Sequence, residues 1–168
     1  IYPTASAKAK ENVGMLHRSR QATQELQDGR RGYLALWQHY WDISVAELKE
    51  DYDELNVHFD LWLGESDTRT IMPEMIAEME LNGNVQQSDG ALIIDVVKEG
   101  DNHELPPLIL RKSDGAVLYG STDLATIVQR VRDFAPDRII YVVDRRQSDH
   151  FRQVFRAAYK TGVAPEDM

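Results

Sequence analysis

The sequence predicts an α/β fold in which part of a parallel sheet follows an N-terminal helical hairpin and a small antiparallel β insertion. Residues 116–158 alternate as strand, helix, strand, helix, which is the order of βαβ units in a parallel sheet. Before residue 56, apolar residues recur every three or four positions over two long segments, as in amphipathic helices. Between these regions, short β-type runs are separated by turn residues, which is typical of antiparallel strands.

Two long helices are predicted at the start of the chain. The first covers about residues 2–27, with Thr4 or Ser6 as its N-cap, and Asp28-Gly29 ends it. The second covers about residues 32–55, and its apolar stripe consists of Trp37, Trp41, Val45, Leu48, Tyr52 and Leu55. A short break between two such helices predicts an antiparallel hairpin. We interpret the aromatic residues of the stripe as core residues rather than as a surface for stacking a cofactor.

Residues 56–112 are predicted to form a connector, a helix and a small sheet. His58, Asp60 and Glu65 match no familiar metal-ligand spacing, so we predict a strand with alternating faces there and no metal site. A helix is predicted over 67–81, ended by Asn82-Gly83-Asn84. The runs 85–87, 91–97 and 108–112 predict two or three antiparallel strands. We accordingly divide the chain into segments 1–66, 67–112 and 113–168.

Composition restricts the classes of function. The chain has 168 residues, no cysteine and no apolar run near the roughly 18 residues of a membrane span, so we expect a cytoplasmic protein without a membrane partner, a disulfide or a thiolate metal site. The net charge of −9 argues against tight binding of DNA or RNA by this chain alone, because nucleic-acid binders usually present a basic surface. The first residue is Ile rather than Met, and we interpret the chain as a piece of a longer protein.

Polar residues follow the predicted strands 116–119 and 139–143. Ligands of open α/β sheets bind outside the carboxyl ends of the strands, and Tyr119, Asp123 and Gln147 lie at two such ends. A carboxylate, an aromatic ring and an amide oxygen together suit a guanidinium group, which is planar, always charged and rich in donors. Residue chemistry alone leaves three alternatives open. Asp123, with Ser121 and Thr122, could cap the following helix, Tyr119 could be a buried strand residue, and Gln147 a loop amide.

Several motifs resemble one family in sequence, order and spacing. They are IYPTASAKAKE at the start, then LNVHFDLWLGES and SDGALIIDV, and finally SDGAVLYGSTDLA followed by RIIYVVDRRQSDHF. Together they span nearly the whole chain and resemble the catalytic domain of arginyl-tRNA synthetases, which are class I aminoacyl-tRNA synthetases. The resemblance implies that residues 113–168 belong to the second half of a Rossmann-like nucleotide-binding fold. It also implies an arginine–tRNA ligase that attaches L-arginine to tRNA through arginyl-adenylate, with ATP and Mg²⁺.

The resemblance also implies residue roles. In this family the matching tyrosine, aspartate and glutamine line the arginine side-chain pocket, which corresponds here to Tyr119, Asp123 and Gln147. His150 matches a further recurrent position and is a weaker candidate. The sequence lacks the His-Ile-Gly-His-type and Lys-Met-Ser-Lys-Ser-type motifs of class I synthetases, so we expect no catalytic residue in this chain and no activity from it alone. Arginine-dependent ATP turnover by the isolated chain would contradict this expectation. The alternative function is a non-catalytic arginine-binding or interaction module derived from a synthetase.

Overall fold

The computed structural model describes residues 2–101, 103 and 105–166, and the chain divides into two compact units, Ile1–Leu61 and Trp62–Met168. The first unit is helical and contains α1 (Tyr2–Glu11), α2 (Val13–Gln27) and α3 (Arg31–Glu54). The second contains, in order, α4 (Met72–Leu81), β1 (Gln86–Ser88), β2 (Ala91–Ile94), β3 (Leu108–Arg111), α5 (Tyr119–Phe134) and α6 (Ser148–Lys160), with 3₁₀ turns at Glu65–Thr68 and Arg145–Gln147.

The predicted first helix is two helices, because Asn12 interrupts it. Asn12 has an extended backbone, and its side chain accepts a hydrogen bond from the backbone N–H of Met15. Asparagine commonly satisfies the free amides at a helix start in this way. The helix predicted over 32–55 is confirmed as α3.

The aromatic stripe of α3 is not a buried core, which corrects the interpretation made from the sequence. No residue of α2 or α3 is buried, and Trp37 is only half-buried. The exposed apolar residues of α3 are Leu36, Tyr40, Trp41, Ile43 and Leu48. The described residues of unit 1 therefore leave an apolar face of α3 uncovered.

The small antiparallel sheet predicted before residue 113 is confirmed. Its strand order is β1-β2-β3, and both neighbouring pairs are antiparallel. The core of unit 2 lies between this sheet and helices α4, α5 and α6. Four of its fully buried side chains are Ile94, Leu110, Leu124 and Val154.

The predicted parallel sheet is not confirmed, since the described residues contain no parallel strand pair. The segment 116–119 turns back on β3 through Ser113-Asp114-Gly115, where Gly115 has φ of 86°. A turn this tight can only join antiparallel neighbours, because a parallel partner needs a long crossover. Val117 therefore forms an isolated antiparallel bridge with Arg111.

Residues 139–143 form no strand ladder within the described part of the chain. Ile139 and Tyr141 pack against the core, whereas Ile140 and Val142 are 76% and 95% exposed. The apolar and largely β-branched sequence of residues 139–143 is typical of a strand buried on both faces, and that prediction is wrong for this structure, in which only one face is covered.

An ion pair joins the loop after β2 to α6. Arg156 Nη1 donates to Asp101 Oδ2 at 2.6 Å and to the Val96 carbonyl oxygen at 3.0 Å. The hydrogen bond from Arg156, aided by the backbone N–H of Lys98, holds the pKa of Asp101 well below its usual value. The loop is thereby attached to the helix through a carboxylate that must stay ionised.

This pair predicts a loss of stability in acid. A carboxylate whose folded pKa is depressed stabilises the protein fully above its unfolded pKa, about 3.9, and loses that contribution as the pH falls through the folded pKa. We expect Asp101→Asn to be less stable than the wild type at neutral pH, and the difference to shrink below about pH 4. Urea unfolding midpoints of both proteins at neutral and acid pH measure this. A difference that is constant with pH would contradict it.

Candidate arginine-side-chain site

The start of α5 is fixed against β3 by two small residues. The buried Ser121 hydroxyl donates to the Leu110 carbonyl oxygen at 2.6 Å and lies 3.2 Å from that of Ile109. At Gly120, an added Cβ would lie 2.8 Å from Leu108 Cδ1, closer than a carbon contact allows. Glycine at this position thus permits the helix to approach the strand.

Helix α5 begins earlier than predicted. Its N-cap is Leu118, which has no side chain to accept a hydrogen bond, and Tyr119 is its first residue. Ser121, Thr122 and Asp123 therefore lie inside the helix and do not cap it. The capping alternative for Asp123 is excluded, and Tyr119 is not a buried strand residue either, since it is 60% exposed.

Asp123 is paired with His150 across the α5–α6 interface. His150 Nε2 lies 2.6 Å from Asp123 Oδ2, and the side chains are 11% and 22% exposed. An ionised carboxylate only accepts hydrogen bonds, so Nε2 carries the proton and donates it. Asp123 Oδ1 has no hydrogen bond among the residues that the structure describes. One carboxylate oxygen is thus held while the other is open to a further donor.

Two aromatic rings contact His150. The Tyr119 ring centroid lies 4.5 Å from that of His150, and the Phe151 ring meets His150 edge-on at 5.0 Å. Contacts of this kind restrict the imidazole to one orientation. The structure thus brings together three of the four residues singled out from the sequence, Tyr119, Asp123 and His150.

Gln147 makes no side-chain hydrogen bond to this cluster among the described residues. It is exposed, it closes the 3₁₀ turn Arg145–Gln147 and it immediately precedes α6. Its backbone N–H donates to the Asp144 carbonyl oxygen at 2.9 Å. Its side chain makes no hydrogen bond to another described residue and is available to a ligand.

Tyr141 belongs to the surroundings of the site, although the sequence did not single it out. Its hydroxyl is buried without a hydrogen-bond partner among the described residues, and the Arg130 guanidinium lies 5.0 Å from its ring centroid. Burial raises the pKa of Tyr141; Arg130 opposes the rise, and the negative charge of Asp123 adds to it. The signal in the sequence was a lone tyrosine within an otherwise aliphatic predicted strand.

Tyr141 also lines a cavity of about 250 Å³. Its lining residues are Lys98, Ile127, Ile139, Tyr141, Arg152, Phe155, Arg156, Ala158, Tyr159, Ala164, Pro165 and Glu166. None of Tyr119, Asp123, Gln147 and His150 is among them, so the polar cluster opens on the surface rather than into this cavity.

Neither a metal site nor a membrane span is found in the described part of the chain. No three His, Cys, Asp or Glu side chains lie close enough together to hold an ion. The strand predicted around His58 and Asp60 is wrong, since residues 57–64 form no strand. The Nδ1 atom of His58 lies 3.5 Å from Asp53 Oδ1. No helix combines the length and apolar character needed to cross a bilayer.

Comparison with known proteins identifies relatives over the whole chain. An arginine–tRNA ligase from Alkaliphilus oremlandii is 55% identical over 168 residues, all of this chain, and one from Agathobacter rectalis is 52% identical over 166 residues. The chain spans 29% and 28% of the length of these two relatives.

Solved structures show the same fold. The crystal structure of arginyl-tRNA synthetase from Plasmodium falciparum matches 92% of this chain and 26% of that protein, with a TM-score of 0.77 and 22% identity. The sequence model of the family described as tRNA synthetases class I (R), catalytic domain, matches residues 1–168. The chain therefore belongs to the family of class I arginyl-tRNA synthetase catalytic domains.

Proposed function

We propose that this chain supplies the arginine side-chain pocket of an arginine–tRNA ligase. The longer protein would attach L-arginine to its tRNA through arginyl-adenylate, and Tyr119, Asp123 and Gln147 would select the side chain. The observation that carries the proposal is the Asp123 carboxylate, which is held through one oxygen and open at the other beside an exposed tyrosine ring.

The chemistry of the side chain fits these groups. A guanidinium donates in a fixed planar fork and pairs most strongly with a carboxylate. The exposed ring of Tyr119 offers a face for the same cation, and the unpaired amide of Gln147 offers an oxygen acceptor. A neutral side chain of the same length, such as that of citrulline, lacks the charge that Asp123 would pair with.

Within the longer protein, we propose that residues 139–143 form a strand of a Rossmann-like parallel sheet. Support comes from the alternation of covered and exposed side chains, with Ile140 and Val142 facing outward. An extended apolar segment with unpaired backbone groups is suited to accept a neighbouring strand. Chain outside residues 1–168 would supply that strand, in keeping with the greater length of the relatives.

We assign no ATP or Mg²⁺ contact to this chain, because neither class I signature motif occurs in it. In this family ATP supplies the adenylate that activates the arginine carboxyl group. The residues described here would contribute by binding and orienting the other end of the same substrate. Binding of tRNA is likewise proposed for the longer protein and not for this acidic chain.

Titration of the isolated chain with L-arginine tests the pocket directly. We expect backbone amide NMR shifts that cluster near Tyr119, Asp123 and Gln147, and no such shifts with citrulline at the same concentration. Equal shifts with both ligands would contradict charge pairing. If a well-folded chain shows no shifts, the same titration of the longer protein decides whether the pocket needs the remaining chain or whether the assignment is wrong.

A second candidate is a non-catalytic interaction module, which the exposed apolar face of α3 favours. Large uncovered apolar patches commonly mark interfaces. The sequence of the longer protein on either side of residues 1–168 distinguishes the ligase from the interaction module. ATP-binding motifs upstream would support the ligase, and their absence would support the module.

A further inference from the structure

We infer that His150 is the positioning residue of the proposed arginine pocket: it fixes the Asp123 carboxylate in the orientation that receives the guanidinium. This inference rests on the proposed function. It assigns His150 an action through Asp123 rather than a direct contact with the substrate.

Burial and hydrogen bonding separate these two roles. The His150 side chain is half as exposed as that of Asp123, at 11% against 22%. Its Nε2–H is already used by Asp123 Oδ2 at 2.6 Å. His150 is therefore poorly placed to bind a ligand, because it is covered and its Nε2–H is already used. Asp123 is more exposed and is better placed to do so.

His150 is itself held by its surroundings. Its ring contacts those of Tyr119 and Phe151, and Phe151 is buried on α6. Gly120 lies beside it, since a Cβ added there would come within 3.9 Å of His150 Cε1. One imidazole therefore links the start of α6 to both proposed ligand-contacting residues of α5.

As a consequence, the Asp123 carboxylate is already oriented before the ligand binds. An unrestrained aspartate side chain rotates about two bonds, and binding must stop that rotation. With Oδ2 tied to His150, the open oxygen keeps one direction, and binding of a rigid guanidinium fork has a smaller entropic cost. The hydrogen bond from His150 uses only Oδ2, so the other carboxylate oxygen of Asp123 remains available to the guanidinium.

Aminoacylation kinetics of the full-length enzyme test the inference with four proteins: His150→Ala, His150→Gln, Asp123→Asn and the double variant with Asp123→Asn and His150→Ala. We expect His150→Ala to raise the KM for arginine by about 10- to 100-fold, because it removes a hydrogen bond to a charged group, and to leave the KM for ATP unchanged. Glutamine can place an N–H near the position of Nε2, so His150→Gln should restore most of the arginine affinity.

The double variant distinguishes a positioning role from an independent one. If His150 acts through the carboxylate, His150→Ala should add little to the effect of Asp123→Asn. Additive effects, an equal rise in the KM for ATP, or no rescue by glutamine in a folded protein would overturn the inference. His103→Ala is the matched control, since His103 is an exposed histidine that lies 3.4 Å from Asp149.

The proposed function has a separate outcome in the same experiment. If Asp123→Asn leaves the KM for arginine unchanged, the pocket assignment itself fails. If Asp123→Asn weakens arginine binding and His150→Ala does not, the pocket stands and the positioning role of His150 is wrong. Circular dichroism of each variant establishes that it is folded.

Discussion

Asp123→Asn should weaken arginine binding by the full-length enzyme by about 30-fold to several thousandfold. The range follows from the about 2–5 kcal/mol that is lost when one partner of a hydrogen-bonded charge pair is truncated, at about 1.4 kcal/mol for each factor of ten. Asparagine keeps an oxygen that can accept the His150 hydrogen bond but has no charge for the guanidinium. The KM for arginine and direct binding of arginine measure the effect.

The structure offers a close control for this substitution. Asp149 is an acidic residue next to His150 at the start of α6, and its carboxylate lies 3.4 Å from Arg152 Nη1 on the surface. Asp149→Asn removes the same charge within a few residues of the site, yet we expect arginine affinity to stay within about twofold, since exposed ion pairs contribute little. Similar losses from both substitutions would mean that general negative charge, and not a specific carboxylate, attracts arginine.

Leu124→Ala is expected to destabilise unit 2 by about 2–5 kcal/mol, the range for large-to-small substitutions in a packed core. Leu124 is fully buried on the core face of α5, one residue from Asp123. The substitution would leave a cavity in the core and remove packing contacts that hold α5 against the sheet. Urea unfolding, followed through the amide NMR signals of β2 and β3, reports on unit 2 alone.

Leu81→Ala is the matched control for the core substitution. Leu81 ends α4 and is among the most exposed apolar side chains described. The same change in chemistry there should alter stability by no more than about 0.5 kcal/mol. Equal effects at the two positions would show that α5 does not pack against the core as described. Arginine binding by Leu124→Ala at low urea should persist as long as unit 2 remains folded.

Local patterns in the sequence were sufficient for most of the secondary structure. The stripe of α3, the apolar residues of α6 and the short runs of β1, β2 and β3 were each recognisable from spacing. Asn82-Gly83-Asn84 likewise lies at the end of α4, as predicted. These features depend on residues within a few positions of one another, where propensity and periodicity are informative.

Predictions from the sequence were wrong for features that depend on residues distant in the chain but close in space. The segment 139–143 has the composition of a doubly buried strand, but burial requires elements on both faces and pairing requires strands at both edges. Likewise, serine is a residue type favoured at helix N-caps, but Ser121 does not cap α5. Its hydroxyl donates a hydrogen bond to a β3 carbonyl oxygen, because the turn at residues 113–115 brings β3 against the start of α5. A cap and a cross-element hydrogen bond use the same side chain, and only the packing of α5 selects between them.

The sequence by itself determined the family, the helical and antiparallel elements, and a short set of candidate residues at the start of α5 and α6. Tertiary structure alone decided that Asp123 is paired with His150, that Tyr119 is exposed beside them, and that the hydroxyl of Tyr141 is buried. The physical reason is distance along the chain. Asp123 and His150 are 27 residues apart, and a hydrogen bond between them exists only because α5 and α6 pack on one core.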